Sequence, residues 1–268
     1  MAASQAEHGE AFRSLHEGEP FVIPNPWDAG AAKMLAGVGF KALATTSSGF
    51  AFTLGRLDGA VTLDEVADHV TLLSDATDLP LSVDLENGYG PSPDDAARAI
   101  ALVAEAGAVG GSIEDWDRDE GVIYERERAA ERIAAAAEAA ASLDFPFTLT
   151  GRAENFVRDH PDLDDTIARL QAYGDAGADV LFAPGLRKVE DIRTVCDAVS
   201  KPVNVLGSPR LGLTIDEIFE AGAQRISVGG GLAWAAVDAA IVVAEQIADD
   251  GDLSGLGTPG RVQEWLRR

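Results

Sequence analysis

Two acidic residues in one short segment are the first candidates for chemistry. The run at 81–90, Leu-Ser-Val-Asp-Leu-Glu-Asn-Gly-Tyr-Gly, starts as a buried strand and ends in a turn. Because side chains alternate along a strand, Ser82, Asp84 and Glu86 are predicted to share one face. Two like charges about 4 Å apart cost roughly 4 kcal/mol at an effective dielectric of about 20, so the pair needs a proton or a cation between its members. The segment predicts a divalent metal site, and a surface hairpin with solvated acids is the alternative.

Further charged residues follow other predicted strands. Glu114 and Arg152 each end an apolar run that is typical of a strand. If the strands are parallel, their carboxyl ends meet at one face, so these two residues should converge with Asp84 and Glu86. Carboxylates without histidine or thiol suit Mg²⁺ or Mn²⁺. We predict Asp84 as a direct ligand, Glu86 and Glu114 as ligands bound directly or through water, and Arg152 as the partner of an anionic substrate oxygen. A structural ion-pair network is the alternative.

Polar groups near other strand ends are candidates for binding substrate. The turn Ser47, Ser48 and Gly49 offers hydroxyl and N–H groups to a carboxylate, and Gly49 permits close approach. Trp27, just after the first predicted strand, and Asn204, within the strand predicted at 203–206, complete this set. Metal, arginine and N–H donors together suit a site that holds a 2-oxo acid and stabilises an enolate.

The elements that position these residues alternate regularly along the chain. Eight strand-and-helix units follow one another at steps of about 20 to 40 residues, which predicts a (β/α)8 barrel in a single domain, residues 1–268. A short N-terminal helix and a C-terminal helical tail flank it, the segments 47–59 and 114–124 are predicted loops, and an open doubly wound sheet is the alternative. The predicted strands lie at 21–25, 42–46, 81–86, 109–113, 147–150, 180–182, 203–206 and 225–228.

Composition excludes several classes of function. The formal net charge of −24 argues against nucleic acid or an anionic membrane as a partner, although it is also typical of solubility in high salt. The single cysteine, Cys196, excludes a disulfide framework and an all-cysteine metal site. There is no signal-peptide pattern and no apolar run of about 20 residues, so we expect a soluble, cytoplasmic protein.

Several short runs along the chain form a recognisable set. The runs are Pro-Asn-Pro-Trp-Asp-Ala-Gly at 24–30, Ala-Thr-Thr-Ser-Ser-Gly at 44–49, Leu-Gly at 54–55, Asp-Gly at 58–59, Asp-Leu-Glu-Asn-Gly-Tyr-Gly at 84–90, Ile-Glu-Asp at 113–115 and Gly-Arg at 151–152. Together they resemble the isocitrate lyase and phosphoenolpyruvate mutase superfamily. The resemblance implies a (β/α)8 barrel whose eighth helix is exchanged between subunits of a homotetramer. It also implies Mg²⁺ at Asp84 with Asp58, Glu86 and Glu114 around it, and Arg152 on the substrate.

The segment 116–124 departs from the patterns of the superfamily. It lacks the Lys-Lys-Cys-Gly-His loop of the lyases, whose cysteine protonates the departing enolate, and the Lys-Thr-Asn segment of the phosphonomutases. Arg118 is the one cation there for a phosphoryl group. Tyr124, Tyr89 or Glu120 could supply the proton, and these three stay open; Tyr124 is taken with Arg152, Glu114 and Asp58 as the catalytic set.

The sequence thus predicts a Mg²⁺-dependent lyase that acts on the carbon–carbon bond of a small 2-oxo or 2-hydroxy dicarboxylic acid. Phosphonomutase chemistry on a phosphorus–carbon bond is the first alternative. The run Gly229–Gly231 is also typical of a phosphate-binding barrel turn, so an isomerase of phosphorylated substrates is a more distant alternative, beside a non-catalytic barrel.

Overall fold

Eight parallel strands form a nearly closed barrel in the computed structural model, which describes residues 3–260 and 262–267. Helices alternate with these strands, and the predicted (β/α)8 architecture is confirmed. Around the barrel the strand order is β1-β10-β9-β8-β7-β4-β3-β2. The strands are β1 (Phe21–Ile23), β2 (Leu43–Ala44), β3 (Leu81–Asp84), β4 (Gly110–Glu114), β7 (Thr148–Arg152), β8 (Val180–Phe182), β9 (Val203–Leu206) and β10 (Arg225–Ser227).

The gap between β1 and β2 is bridged by individual hydrogen bonds. The Ala44 N–H donates to the Pro24 carbonyl at 3.1 Å. The buried Asn25 amide donates to the Thr45 carbonyl and accepts from the Val228 N–H, both at 2.9 Å. One side chain at the end of β1 therefore joins the segments that follow β2 and β10.

The helices cover the outside of the barrel, and capping residues fix their starts. Serine and threonine N-caps with a glutamate or aspartate three positions later begin four of them, through Ser4, Thr62, Ser92 and Thr214. The helices are α1 (Gln5–Glu17), α2 (Ala29–Val38), α3 (Ser47–Thr53), α4 (Leu63–Ala76), α5 (Pro93–Glu105), α6 (Arg126–Ala141), α7 (Leu163–Asp175), α8 (Val189–Ala198), α9 (Ile215–Glu220), α10 (Gly231–Asp250) and α11 (Val262–Leu266), with a 3₁₀ turn at Asn155–Val157.

Three local predictions are wrong. Ser47, Ser48 and Gly49 form the first turn of α3 rather than a loop, because Thr46 caps them and its side chain accepts the Gly49 N–H. The segment 114–124 contains an antiparallel hairpin of β5 (Trp116–Asp117) and β6 (Val122–Ile123). The strand at 81–86 ends at Asp84, because Glu86 takes the left-handed backbone conformation with φ 48°.

Helix α10 has 20 residues, yet Ala233 is its one buried residue. By length and composition alone it is apolar enough to cross a membrane, contrary to the expectation that no apolar run approaches 20 residues. A single helix of this kind is weak support for a membrane span. The predicted tail helix at 259–266 is present as α11, which packs on α2, and residue 261 lies outside the described residues.

Candidate active site

Three of the predicted site residues meet at the carboxyl ends of adjacent strands, a place we call the mouth. Asp84 ends β3, Glu114 ends β4 and Arg152 ends β7, and Glu114 pairs in register with Arg152. One terminal nitrogen of Arg152, Nη1, lies 3.5 Å from Asp84 Oδ1 and 3.3 Å from Glu114 Oε2. The mouth is therefore a guanidinium held between two carboxylates, as the rule for parallel strand ends predicts.

A second arginine reinforces this cluster, and the sequence analysis did not single it out. Arg152 Nε donates to Glu154 Oε1 at 2.6 Å. Arg158 lies 2.8 Å from the other oxygen of Glu154 and 3.7 Å from Glu114, with its guanidinium 4.4 Å from the centre of the Trp116 ring. The spacing of four residues between Glu154 and Arg158 is the signal that could have found it.

Glu86 reaches the mouth from a turn rather than from a strand. Its own N–H donates to Asp84 Oδ1 at 3.3 Å, and its carboxylate accepts from Arg118 Nη2 at 2.6 Å and from the Tyr89 hydroxyl at 3.3 Å. Burial, and then the neighbouring Asp84 charge, raises the pKa of Glu86 to about 7. Asp84 and Glu86 are thus close together, although the alternation that predicted this ends between them.

The β5–β6 hairpin lies across one side of the mouth. Arg118, in the hairpin turn, donates to the Asp58 carbonyl at 2.9 Å as well as to Glu86. Asp58 is exposed and lines the cavity below the mouth, and its charge also raises the pKa of Glu86. Arg118 therefore connects the loop before α4 with the turn after β3.

The substrate-binding candidates are only partly brought together. Ser47 and Ser48 line the cavity, and the Ser47 N–H lies 3.4 Å from Asp84 Oδ2. The Gly49 N–H is bonded to Thr46, and a Cβ at Gly49 would lie 3.0 Å from the Trp27 Cβ. Gly49 thus permits close approach of protein atoms, and Trp27 lies in an apolar groove with α10.

Asn204 and Tyr124 have different surroundings. Asn204 is buried and lines the cavity, where its amide donates to Ser227 Oγ at 2.9 Å and accepts from Arg225 Nε at 2.8 Å. Tyr124 is buried outside the cavity lining, with its hydroxyl 3.4 Å from the Asn87 amide nitrogen. Arg225 is a residue that the sequence analysis missed, because a buried cation inside a barrel has no sequence pattern.

The mouth opens into a small cavity inside the barrel. Its volume is about 170 Å³, and its lining includes Asp84, Arg152, Asn204 and Arg225. Sites for drug-sized ligands have about 300–1,000 Å³, so this cavity suits an acid of a few carbons. Four larger cavities have linings that contain neither Asp84 nor Arg152.

The donor set at the mouth fits a hard cation. Within residues 3–260 and 262–267 no three histidine, cysteine, aspartate or glutamate side chains form a ready metal cage, and Arg152 lies between Asp84 and Glu114 instead. Burial raises the pKa of Glu114 well above its usual range despite Arg152, so this carboxylate needs further positive charge nearby to stay ionised, which a bound cation would supply. Mg²⁺ needs only one or two carboxylates besides water and substrate oxygens, and Asp84, which lines the cavity, can supply the first.

A parallel barrel with acids and arginines at its strand ends is the architecture of a barrel enzyme. The chain matches the family described as phosphoenolpyruvate phosphomutase over residues 12–248, and it belongs to this family. The resemblance to the isocitrate lyase and phosphoenolpyruvate mutase superfamily is confirmed, and its members are lyases and mutases that act on small carboxylic acids.

The named relatives include a lyase and a decarboxylase. The chain is 33% identical to 2-methylisocitrate lyase from Escherichia coli over 205 residues, covering 73% of this chain and 68% of the relative. It is 31% identical to oxaloacetate decarboxylase from Rhodopseudomonas palustris over 261 residues, covering 92% and 88%. A crystal structure of a candidate lyase/mutase from Burkholderia cenocepacia has 51% identity, a TM-score of 0.95 and 98% coverage of each chain.

Proposed function

We propose that this protein is a Mg²⁺-dependent lyase that acts on the carbon–carbon bond of a small 2-oxo or 2-hydroxy dicarboxylic acid through an enolpyruvate-type intermediate. The observation that carries the proposal is the Arg152 guanidinium between Asp84 and Glu114, above a cavity of about 170 Å³. The size of the cavity favours an acid of a few carbons, and the relatives named as a lyase and a decarboxylase support the reaction type.

Asp84 would hold the cation directly, and Glu86 and Glu114 would hold its water ligands. Superfamily members use Mg²⁺, which when bound would stabilise the negative charge that develops on the enolate oxygen. Arg152 binds a substrate carboxylate in this proposal, and the hydroxyls of Ser47 and Ser48 orient it. The partial burial of the mouth lowers the local dielectric constant, which strengthens these interactions.

Of the three open proton donors, Tyr89 has the best position. Neither tyrosine lines the cavity, but the Tyr89 hydroxyl donates at 3.3 Å to Glu86, which adjoins Asp84, whereas Tyr124 contacts Asn87 and Glu120 is exposed in the hairpin turn. We therefore place the proton that reaches the enolate carbon on the Tyr89 hydroxyl, and because burial raises the pKa of Tyr89, the neighbouring Glu86, whose pKa is raised to about 7, must give its own proton to the phenolate oxygen as the transfer occurs.

Phosphonomutase chemistry remains the second candidate because the matching family carries that description. A phosphoryl group would need a second cation at the mouth besides Arg152, which binds the carboxylate, and Arg118 is held at the rim by Glu86 and the Asp58 carbonyl. We therefore favour the lyase. A ³¹P spectrum of the protein incubated with phosphonopyruvate tests the alternative, since any new resonance would favour the mutase.

Pyruvate release from oxaloacetate or a 2-methylmalate-like acid, with Mg²⁺ and then with EDTA, tests the lyase assignment. We expect turnover that EDTA and Asp84→Ala abolish, while Asp197→Asn on the exposed face of α8 retains it. Oxalate resembles the enolate, so Mg²⁺ with oxalate should raise the melting temperature of the wild type but not of the Asp84 variant. Unchanged stabilisation in that variant would remove Asp84 as the ligand.

We also propose that the enzyme is a cytoplasmic homotetramer whose α10 packs on a second copy. An apolar groove along α10 is open, and it is lined by Trp27, Phe52, Ala233, Ala236, Val237, Ala240, Ile241 and Ala244. Burying such a groove stabilises association at roughly 25 cal/mol per Å² of apolar area. Light scattering should give four chains for the wild type and fewer for Ile241→Asp, and equal masses would contradict the proposal.

A further inference from the structure

The amino-terminal end of the barrel interior contains a buried cation with neutral neighbours, a place we call the floor. Arg225 opens β10 and is 5% exposed. Its Nε donates to Asn204 Oδ1 at 2.8 Å, Nη2 to Thr150 Oγ1 at 3.1 Å, and Nη1 to His16 Nε2 at 3.1 Å. Among the described residues no carboxylate lies within 4 Å of this guanidinium, whereas Arg152 at the mouth contacts three.

His16 is neutral at neutral pH, so it adds neither a negative nor a positive charge to the floor. Its Nδ1 lies 2.9 Å from the Phe12 carbonyl and so carries the proton, which leaves Nε2 to accept from Arg225. Burial and the nearby Arg225 charge lower the pKa of His16 to about 3. Burial lowers the pKa of Arg225 to about 9, so the arginine is still protonated at neutral pH. The floor therefore keeps one unbalanced positive charge, an arrangement that is costly without a partner.

The guanidinium also has donors to spare. An arginine side chain has five N–H groups, and the contacts of Arg225 to Asn204, Thr150 and His16 use three of them. Within the part of the chain that the structure describes, the other two have no acceptor. Two N–H groups on a planar guanidinium match the two oxygens of a carboxylate.

The cavity gives a ligand access to this cation. Barrel interiors are usually filled by branched aliphatic side chains, but here small polar residues line the space between mouth and floor. Ser82, Ser112 and Ser227 border the same cavity that contains Asp84 and Arg152 at one end and Arg225 at the other. The small side chains leave the room into which an anionic group can extend.

We infer that the floor is an anion subsite, in which Arg225 with Asn204 and Ser227 binds the second carboxylate of the substrate while its 2-oxo or 2-hydroxy acid end lies at the mouth. The inference rests on the proposed function for the chemistry at the mouth. It assigns to Arg225 the discrimination between dicarboxylic and monocarboxylic acids.

Two acids that differ only at the second carboxylate test the subsite. Malate and 2-hydroxybutyrate share four carbons and the 2-hydroxy acid end, and calorimetric titration with Mg²⁺ present gives the Kd of each. We expect the wild type to bind malate about tenfold or more tightly than 2-hydroxybutyrate. Arg225→Met should remove this preference by weakening malate about tenfold, with 2-hydroxybutyrate and oxalate changed less than about twofold. The surface control Arg193→Met should behave as the wild type.

Asn204→Asp is the second variant, should Arg225→Met fail to fold. It places a carboxylate beside Arg225 Nε without changing the size of the side chain. That carboxylate would neutralise the floor, so we expect the malate preference to fall about tenfold, as in Arg225→Met. Equal weakening of both acids, or a malate preference that survives both variants, would overturn the subsite.

The same titrations separate failure of the subsite from failure of the proposed function. Oxalate is too short to need the floor, so absence of Mg²⁺-dependent oxalate binding with a retained malate preference would contradict the lyase proposal alone. Oxalate binding without malate preference would contradict the subsite alone. Stabilisation of the wild type but not Arg225→Met by chloride, again without malate preference, would show a free-anion site and overturn the assignment to substrate.

Discussion

Two arginines lie in one cavity, and their surroundings differ. Arg152 at the mouth contacts the carboxylates of Asp84, Glu114 and Glu154, whereas Arg225 at the floor contacts an amide, a hydroxyl and a neutral imidazole. At the mouth, burial raises the pKa of Glu114 despite Arg152, so its carboxylate needs more positive charge to stay ionised, whereas the floor has a positive charge without a carboxylate partner. A ligand that brings a cation to the first and a carboxylate to the second would satisfy both.

The largest effect on stability is expected from Arg152→Met. The substitution leaves the buried Glu114 and Glu154 with less positive charge, so we expect the free energy of unfolding to fall by about 2–4 kcal/mol. Urea unfolding at neutral pH measures this loss. If Glu114 takes up a proton in the variant, the loss in the free energy of unfolding should lie at the lower end of this range. An unchanged urea midpoint would show that the charges at the mouth do not contribute to folding stability.

Acid should destabilise the protein through the floor. The folded-state pKa of His16 is about 3 and lies below the unfolded value of about 6.5. The unfolded state therefore binds more protons between these values, and stability is lost as the pH falls through that window. By pH 5 His16 alone accounts for about 2 kcal/mol. His16→Gln should remove this share of the pH dependence of urea midpoints between pH 7 and pH 5. The loss from His69, whose pKa burial lowers to about 4, and the opposing gain from Glu86, whose pKa is raised to about 7, would remain.

Arg225→Met should differ sharply from the same substitution at Arg152. Removing a desolvated charge offsets the loss of three hydrogen bonds, so we expect a change in the free energy of unfolding within about 1 kcal/mol. Parallel urea titrations of the two variants give the contrast directly. A loss for Arg225→Met as large as that for Arg152→Met would mean that the floor charge serves stability instead of ligand binding.

The smallest effect is expected at the rim of the mouth. Arg118 is 37% exposed and bonds to Glu86 from the hairpin turn, so Arg118→Met should cost less than about 1 kcal/mol. Hydrogen exchange should nevertheless increase in residues 116–123, because the contacts of Arg118 to Glu86 and Asp58 are lost. Unchanged exchange would show that the ladder between β5 and β6 holds the hairpin without Arg118.

Prediction from the sequence succeeded where local pattern and a general rule of parallel barrels were enough. The rule that strand ends converge brought Asp84, Glu114 and Arg152 together, and their contacts in the structure agree. The prediction that Glu86 lies beside Asp84 agrees with the structure, but the strand alternation behind it is wrong, because the backbone of Glu86 is left-handed. The short helix that replaces the turn at Ser47 was missed. The left-handed backbone near Gly88 and the helix start capped by Thr46 both depend on individual neighbouring residues. The periodicity of apolar residues does not include such local effects.

The sequence by itself determined the barrel, its eight strand-and-helix units and the meeting of Asp84, Glu114 and Arg152 at its mouth, because periodicity and strand direction are local properties that the chain carries everywhere. The tertiary structure alone decided the floor. His16 and Arg225 are separated by 209 positions and meet only when α1 closes the amino-terminal end of the barrel. Whether a buried charge has a partner depends on such distant contacts, and no spacing along the chain records them.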